Sequence, residues 1–375
     1  MRFDVLVVGA GPFGCACART LADAGHAVLV VDRRDHVGGN AFDEEIDGVR
    51  LHRYGAHIFH TDDADTWAFV RRFGAVLPYR HTVKARHGAR MYTLPFGLQT
   101  LYEVYGVTTP ADARRVLADR RAVTDAAEGD ATVEAVALAT LGPELYELLV
   151  RHYTEKQWGR PCAALPGAIL KRLPVRLTWD AHYFADRWQG LPADGYATLF
   201  RRMLGGAHVQ LGVDFLSERA RLESCVRTVV YSGPLDAYFD CAHGALAYRT
   251  LRFVTARHPG DVQGTAVVNW TGPEVPWTRT IEWAHFAGGG PPEAGLVTTE
   301  YPAEWAAGAE PYYPVRDPEN LARYAAYRAA AAARAPRLWV GGRLGTYAYY
   351  DMHQAIAQGW QVGRRVARAL ADREV

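Results

Sequence analysis

The sequence predicts an α/β protein in three parts: a discontinuous Rossmann-like dinucleotide-binding domain, a helical domain and an antiparallel β-sheet domain. Three observations predict it. A strand, glycine turn, helix, strand and acid follow one another in residues 4–40. Residues 97–153 carry Leu, Ala, Val and Glu at helical spacing. After residue 246, short alternating strands separated by turns read as an antiparallel sheet. One more buried strand and a long helix then lead back to the nucleotide fold, so that domain both opens and closes the chain.

The opening unit is the most specific. Val5, Leu6, Val7 and Val8 suit a strand buried on both faces. Gly9-Ala10-Gly11-Pro12-Phe13-Gly14 is G-x-G-x-x-G. Its first glycine allows the turn, the second lets backbone approach a pyrophosphate, and the third lets helix pack on strand. Residues 15–24 continue as an Ala-rich amphipathic helix that Gly25 ends, and 27–31 form a second buried strand. Asp32 closes that strand, where an acid can take the ribose hydroxyls of an adenosine. The alternative is a glycine-rich turn in an ordinary α/β unit. Arg33, Arg34 and a second turn at Gly38-Gly39-Asn40 argue against it. Nicotinamide enzymes have no particular need for a second glycine pair. In FAD-binding proteins such a turn lets backbone wrap the flavin diphosphate, so the reading is FAD over NAD.

Composition narrows the class. The chain has 375 residues, enough for two or three modules. A formal net charge of +1 implies no general attraction to nucleic acid or anionic membranes. No apolar run approaches the roughly 20 residues of a membrane span. The first strand starts almost at Met1, so no leader and a cytoplasmic location are expected. The cysteines (15, 17, 162, 225, 241) are odd in number and lack a C-x-x-C pair. They read as small buried thiols of a reducing compartment, with Cys15 and Cys17 not both facing the core. No metal site is expected, because the histidines show no ligand spacing with them.

Along the chain, 47–54 reads as a hairpin strand and 63–73 as a helix capped by Thr61 or Asp62. Residues 79–86 and 89–94 read as a hairpin around His87-Gly88. The helical stretch is broken at 128–130 and at Gly142-Pro143, and 153–176 reads as a lid or site loop. Further helices are expected at 196–204, 319–335 and 352–371, and strands at 228–234, 246–254, 264–270, 278–285, 295–301 and 338–343. The resulting division assigns 1–78, 193–240 and 317–375 to the FAD-binding domain. It assigns 96–178 to the helical domain, with a mobile substrate loop, and 79–95, 179–192 and 241–316 to the β-sheet domain.

Arginines and tyrosines cluster on predicted loops: Arg172, Tyr183, Arg279, Tyr313, Arg343 and Tyr349, with Trp158 and His60. A diphosphate needs guanidinium forks and phenol donors, because each phosphate oxygen accepts charge-assisted bonds. Each of these residues is also a plausible packing or solvated residue on spacing alone. Arg343 is better placed, just after a Gly-Gly strand end. No Ser-His-Asp set, paired-carboxylate set or metal cluster emerges. Any chemistry then belongs to the cofactor.

Taken together, these segments resemble the bacterial-type, FAD-dependent UDP-galactopyranose mutase family. The likeness is carried by the Gly turn, residues 34–40, Tyr54-Gly55-Ala56-His57-Ile58-Phe59-His60-Thr61, and residues 153–160, 170–176, 231–238, 248–251 and 342–352. The resemblance implies a redox-neutral isomerase that interconverts the pyranose and furanose forms of a nucleotide sugar, UDP-galactopyranose and UDP-galactofuranose. It implies that reduced FAD is the active form and that its N5 attacks the anomeric carbon. It places Arg172 and Arg279 on the diphosphate, with His60 as a third catalytic candidate. Trp158, Tyr183, Tyr313, Tyr349, Asp351 and His81 become substrate-binding candidates. Cofactor-binding candidates are Gly9, Gly11, Pro12, Phe13, Gly14, Asp32, Arg33, Gly39, Asn40, His57, Ile58, Gly342, Arg343, Asp351 and Met352.

Partners expected are the nucleotide sugar, with no nucleic acid and no membrane span; a homodimer stays open. His81 stands where the family commonly has Asn, Trp277 where it has Tyr, and Trp283-Ala284 where it has His-Lys. These departures leave a different sugar or nucleotide open. A flavin-dependent oxidoreductase of the amine-oxidase type is the other alternative.

Overall fold

The computed structural model describes residues 2–121, 131–172, 175–290 and 295–372, without the side chains of 171 and 172. Strands β1 (Phe3–Val8), β2 (Val28–Asp32), β10 (His208–Leu211), β11 (Val226–Tyr231) and β17 (Leu338–Val340) form a sheet ordered β10-β2-β1-β11-β17. All its pairings are parallel, with Val7 opposite both Val30 and Val230. In chain order this is 3-2-1-4-5, so the winding reverses between β1 and β11. A crevice therefore opens at the carboxyl ends of those two strands.

Helix α1 (Pro12–Asp23) lies between this sheet and the last helix, α13 (Met352–Ala371). Gly359 and Gly363 make the approach possible: a Cβ at Gly359 would sit 2.2 Å from the Phe13 carbonyl oxygen. Because α1 is covered on both sides, Cys15 and Cys17 are both fully buried, contrary to expectation. The thiol reading also fails at the other end of the chain, where Cys225 is partly exposed and Cys241 exposed.

The second sheet has the order β16-β12-β15-β14-β13-β7-β8. Its strands are β7 (Val83–His87), β8 (Arg90–Leu94), β12 (Tyr248–Arg257), β13 (Val267–Trp270), β14 (Arg279–Glu282), β15 (Leu296–Glu304) and β16 (Tyr313–Pro314). It is antiparallel except where β13 pairs parallel with β7. The β7–β8 hairpin is paired locally through its turn, whereas the pairing of β7 with β13 joins distant segments. Residues 179–192 do not join this sheet through their strand. Strand β9 (Trp188–Pro192) lies between β5 (Phe59–Thr61) and β6 (Val76–Pro78) in a separate three-stranded sheet. A fourth pair, β3 (Asp43–Ile46) and β4 (Val49–His52), turns at Asp47-Gly48, both with positive φ.

The central helices are α3 (Leu98–Tyr105), α4 (Pro110–Arg120), α5 (Val133–Thr140), α6 (Pro143–Leu145) and α7 (His152–Trp158). A π-helical turn, Tyr146–Arg151, joins the last two, and Gly159 ends α7 at φ +65°. The stretch expected to be a loop from Tyr153 onward is thus helical to Trp158, and short 3-10 turns follow at Cys162–Ala164 and Gly167–Arg172. The expected break at 128–130 lies outside the described residues.

Helix α2 (Ala64–Arg71) is capped by Asp63, which accepts from the amides of Asp65 and Thr66. Thr61, one of the two expected caps, instead accepts from the Asp63 amide. The remaining helices are α8 (Tyr196–Met203), α9 (Arg219–Ser224), α10 (Leu235–Tyr238), α11 (Pro318–Ala332) and α12 (Gly342–Gly345). No helix among the described residues is long and apolar enough to cross a membrane.

Candidate functional site

The glycine turns meet backbone to backbone at the start of α1. A Cβ at Gly14 would sit 1.8 Å from the Gly9 carbonyl oxygen, and one at Gly39 would sit 2.9 Å from Gly11 Cα. Gly9, at φ +103°, leaves no room for a side chain either: Ser232 Oγ would lie 2.3 Å from its Cβ. That hydroxyl donates to the Val8 carbonyl at 2.7 Å, tying β11 to β1 across the crevice. No side chain caps α1, so its first-turn amides face the cradle between the two turns. This all-backbone cradle fits a dinucleotide diphosphate.

Asp32 Oδ2 accepts from the Ala10 amide at 2.7 Å and Oδ1 from the Arg34 amide at 2.9 Å. The acid therefore braces the glycine turn as well as offering lone pairs to a ribose. Arg33 pairs with Glu310, and Arg34 reaches Glu310 at 2.6 Å and Asn40 Oδ1 at 2.7 Å. The basic pair thus ties the second glycine turn to the 310–313 segment. Phe13 is buried, with its ring against Gly341 and Gly342, which makes it a packing residue. Ile58 is buried too. Strand β17 ends at Val340, short of the expected 343, and Arg343 follows its Gly341-Gly342 exit in the short α12, donating to the Tyr312 and Pro311 carbonyls. Asp351 and Met352 open α13.

Beside the crevice, the second sheet presents a row of polar side chains. Asn269, Arg279 and Glu300 are directly opposite one another on β13, β14 and β15, so they share one face. Arg279 Nε donates to Asn269 Oδ1 at 3.2 Å, and Nη1 lies 3.5 Å from Glu300 Oε2. Its Nη2 donates to the Tyr153 hydroxyl of α7 at 3.0 Å. Burial works against the Arg279 charge, but Tyr153, Glu300, Tyr313 and Tyr183 around it hold its pKa well up. Glu300 is almost fully buried, which raises its pKa against the pull of Arg279, and its Oε1 has no hydrogen-bond partner.

The Tyr313 ring stacks on Tyr349 (6.2 Å, 11°), and Trp158 tilts against Tyr313 at 6.1 Å. The structure therefore gathers Arg279, Tyr183, Tyr313, Tyr349 and Trp158. Arg172 lies outside the described side chains.

Five histidines line the neighbouring wall. The His57 amide donates to His52 Nδ1 at 2.9 Å, and its own Nδ1 donates to the Gly55 carbonyl at 2.7 Å. Burial lowers His57 to about 4 despite that bond, and Arg343 and Arg279 push the same way. Burial, then Arg279 and His60, lowers His81 to about 3, so both rings are neutral at physiological pH. His81 stands between Phe184 and Phe286, with Nδ1 3.2 Å from the Tyr79 hydroxyl. His60 stacks on Phe184 at 3.7 Å, meets His353 edge-on at 5.0 Å, and holds Asp186 Oδ2 at 2.9 Å from its Nδ1.

Sequence reasoning missed Tyr153, Asn269, Glu300, Asp186 and His353. Cross-strand register brings in Asn269 and Glu300, and nothing in a linear string announces register between strands 20 residues apart. It also missed a carboxylate–histidine group: His285 Nε2 lies 3.0 Å from Asp261 Oδ2 and 3.8 Å from Glu282 Oε2. Both Glu282 oxygens already accept backbone amides, from Val262 and Gln263. Of the departures, Trp283 is an interior residue, fully buried with its indole N–H on Thr298 Oγ1 at 2.7 Å. Trp277 packs on Trp270 and Tyr301.

A parallel 3-2-1-4-5 sheet with two facing glycine turns, beside an arginine–tyrosine cluster on a second sheet, defines a dinucleotide-binding protein of the Rossmann-like class. The comparisons narrow the class. Residues 7–73 match the family model of an NAD(P)-binding Rossmann-like domain, and residues 148–349 match that of UDP-galactopyranose mutase. A probable UDP-galactopyranose mutase of Klebsiella pneumoniae is 36% identical, over 99% of this chain and 96% of that protein. A dTDP-fucopyranose mutase of Escherichia coli is 34% identical, over 94% of this chain and 96% of that one. A putative flavin-containing monoamine oxidase of Mycobacterium tuberculosis is 48% identical over 61 residues. The crystal structure of a reduced UDP-galactopyranose mutase superposes with a TM-score of 0.70 at 11% identity, covering 98% of this chain and 94% of that one. The chain belongs to the UDP-galactopyranose mutase family, and its cofactor is a flavin.

Proposed function

We propose that this protein interconverts the pyranose and furanose forms of a nucleotide sugar, UDP-galactose first, with no net redox change. The observation that carries the reading is Arg279, a partly buried guanidinium set among phenols beside the dinucleotide crevice. Such a group suits a substrate whose diphosphate must be held and then accept the charge of a leaving group. FAD, reduced before turnover, would supply the nucleophile at the anomeric carbon. Arg279 and Arg172 hold the diphosphate, and Tyr183, Tyr313 and Tyr349 donate to it without adding positive charge. Trp158, His81 and Asp351 border the sugar. His60, which is held by Asp186 and stacked on Phe184, is the third catalytic candidate of this reading.

The glycine turns, Asp32, Arg33, Asn40, His57, Ile58, Gly342, Arg343 and Met352 form the cofactor side, and Phe13 supports it by packing. The three-part domain division, a cytoplasmic location and a homodimer belong to the same reading. A second substrate, a dTDP-linked 6-deoxyhexose, is favoured by one observation: the dTDP-fucopyranose mutase is nearly as similar as the galactose-type relative.

The experiment is direct. The yellow protein is reduced with dithionite and given UDP-galactopyranose or dTDP-fucopyranose, and products are separated by chromatography. Furanose product formed only after reduction supports the proposal. Turnover by the oxidised protein with peroxide release would sink it in favour of an oxidoreductase.

A further inference from the structure

Lys156 has no acidic partner within bonding distance among the described residues, yet its ammonium is enclosed. Nζ lies within hydrogen-bond distance of four main-chain carbonyls: Trp270 at 2.8 Å, Gly272 at 2.9 Å, Trp277 at 3.0 Å and Val275 at 3.2 Å. Trp270 is the last residue of β13, and the other three belong to the loop that joins β13 to β14 and delivers Arg279. Three N–H bonds shared among four carbonyls gather the loop around a single point. Burial lowers the ammonium to about 8, with Glu274 opposing, so it stays charged at neutral pH.

The other end of the connection is on the same helix. Tyr153 lies three residues before Lys156 on α7, on the same side of the helix, and its hydroxyl accepts from Arg279. A second buried cation secures the end of α7: Arg249 donates to the Gln157 carbonyl at 3.0 Å and the Lys156 carbonyl at 3.4 Å. A closed circuit results, running Tyr153, helix, Lys156, loop, Arg279 and back to Tyr153.

We propose that Lys156 is a positioning residue for the diphosphate site: by drawing loop 270–278 onto α7 it sets the placement of Arg279 against Tyr153. The inference rests on the reading that Arg279 holds the diphosphate. Lysine suits the task because a compact ammonium can serve carbonyls around one point. A planar guanidinium directs its donors outward as a fork, and methionine keeps the volume but offers no donor.

The test uses the FAD-loaded full chain, with UDP as the binding probe and steady-state turnover of UDP-galactopyranose by the reduced protein. Lys156→Met should weaken UDP binding and raise KM at least tenfold, with FAD content and the flavin spectrum unchanged and kcat altered much less. Lys156→Arg should recover only part of the affinity. Adding Tyr153→Phe to Lys156→Met should cost less than twofold more, because both act through the same circuit. Arg279→Ala is the control. If it abolishes UDP binding while Lys156→Met binds within twofold of the unmutated protein, the positioning role is overturned. If Arg279→Ala also binds normally, the diphosphate reading itself has failed. Should Lys156→Met not fold, hydrogen exchange on the unmutated holoprotein decides: UDP must slow exchange in 153–158 and 270–278 together. Protection of only one of the two segments overturns the proposal.

Discussion

The two halves of the proposed site are built by different means. The dinucleotide crevice is built of main chain. Its cradle lies within residues 9–39 and needs glycine because a single added Cβ would strike backbone, as at Gly14 and Gly39. The Arg279 cluster is built of side chains delivered by α7, β13, β14 and β15, and by segments near residues 183 and 313. A backbone site is written in contiguous residues because local conformation makes it. A side-chain site depends on register and docking, so its members are scattered through the chain.

That contrast can be broken at its strongest point first. Gly14→Ala places a carbon 1.8 Å from the Gly9 carbonyl oxygen, so the turn must open. We expect at least a hundredfold weaker FAD retention, or no folded protein, measured as flavin absorbance per chain; a fully yellow, soluble Gly14→Ala protein would refute the cradle.

The side-chain half should lose function while keeping its flavin. Arg279→Ala should cut kcat/KM at least tenfold, about 1.4 kcal/mol in the barrier. It also strands the Glu300 carboxylate, at a cost of about 3 kcal/mol in stability. Adding Glu300→Gln should restore most of that stability and none of the activity. If it restores neither, the Arg279–Glu300 pair is not what the substitution disturbs. Arg172→Ala should show a similar loss of rate.

A pH dependence tests the neighbouring wall. His81 is held near 3 in the folded protein against about 6.5 unfolded, so the unfolded chain binds the extra proton between those values. Its contribution to stability is complete above pH 6.5 and falls with pH by at most about 1.4 kcal/mol per unit. His57, lowered to about 4, acts in the same direction. Denaturant midpoints between pH 7 and 4.5 should therefore flatten in His81→Phe. An unchanged slope would mean that His81 is not held neutral by its aromatic surroundings.

Particular residues show where sequence reasoning succeeded and why it stopped. The glycine turns, Asp32 and α13 were legible because each is a local pattern with a local cause. Arg279 was legible only as one arginine among many, apart from the family resemblance. Asn269 and Glu300, its partners, left no trace, because a strand does not state which residue stands opposite it. The same limit explains Cys15 and Cys17. A helix covered on both sides buries residues that periodicity would place on different faces. It explains β9 as well, because residues 179–192 are assigned by sequence to the second sheet while their strand pairs in another.

The sequence by itself determined the dinucleotide fold and the glycine cradle. These follow from backbone sterics and from apolar runs acting over a few residues. Only the tertiary structure decided that α7 should meet the connection between β13 and β14, that four carbonyls should converge on Lys156, and that His57 and His81 should be neutral. Those outcomes depend on desolvation and on distances between segments more than 100 residues apart, and no local rule sets them.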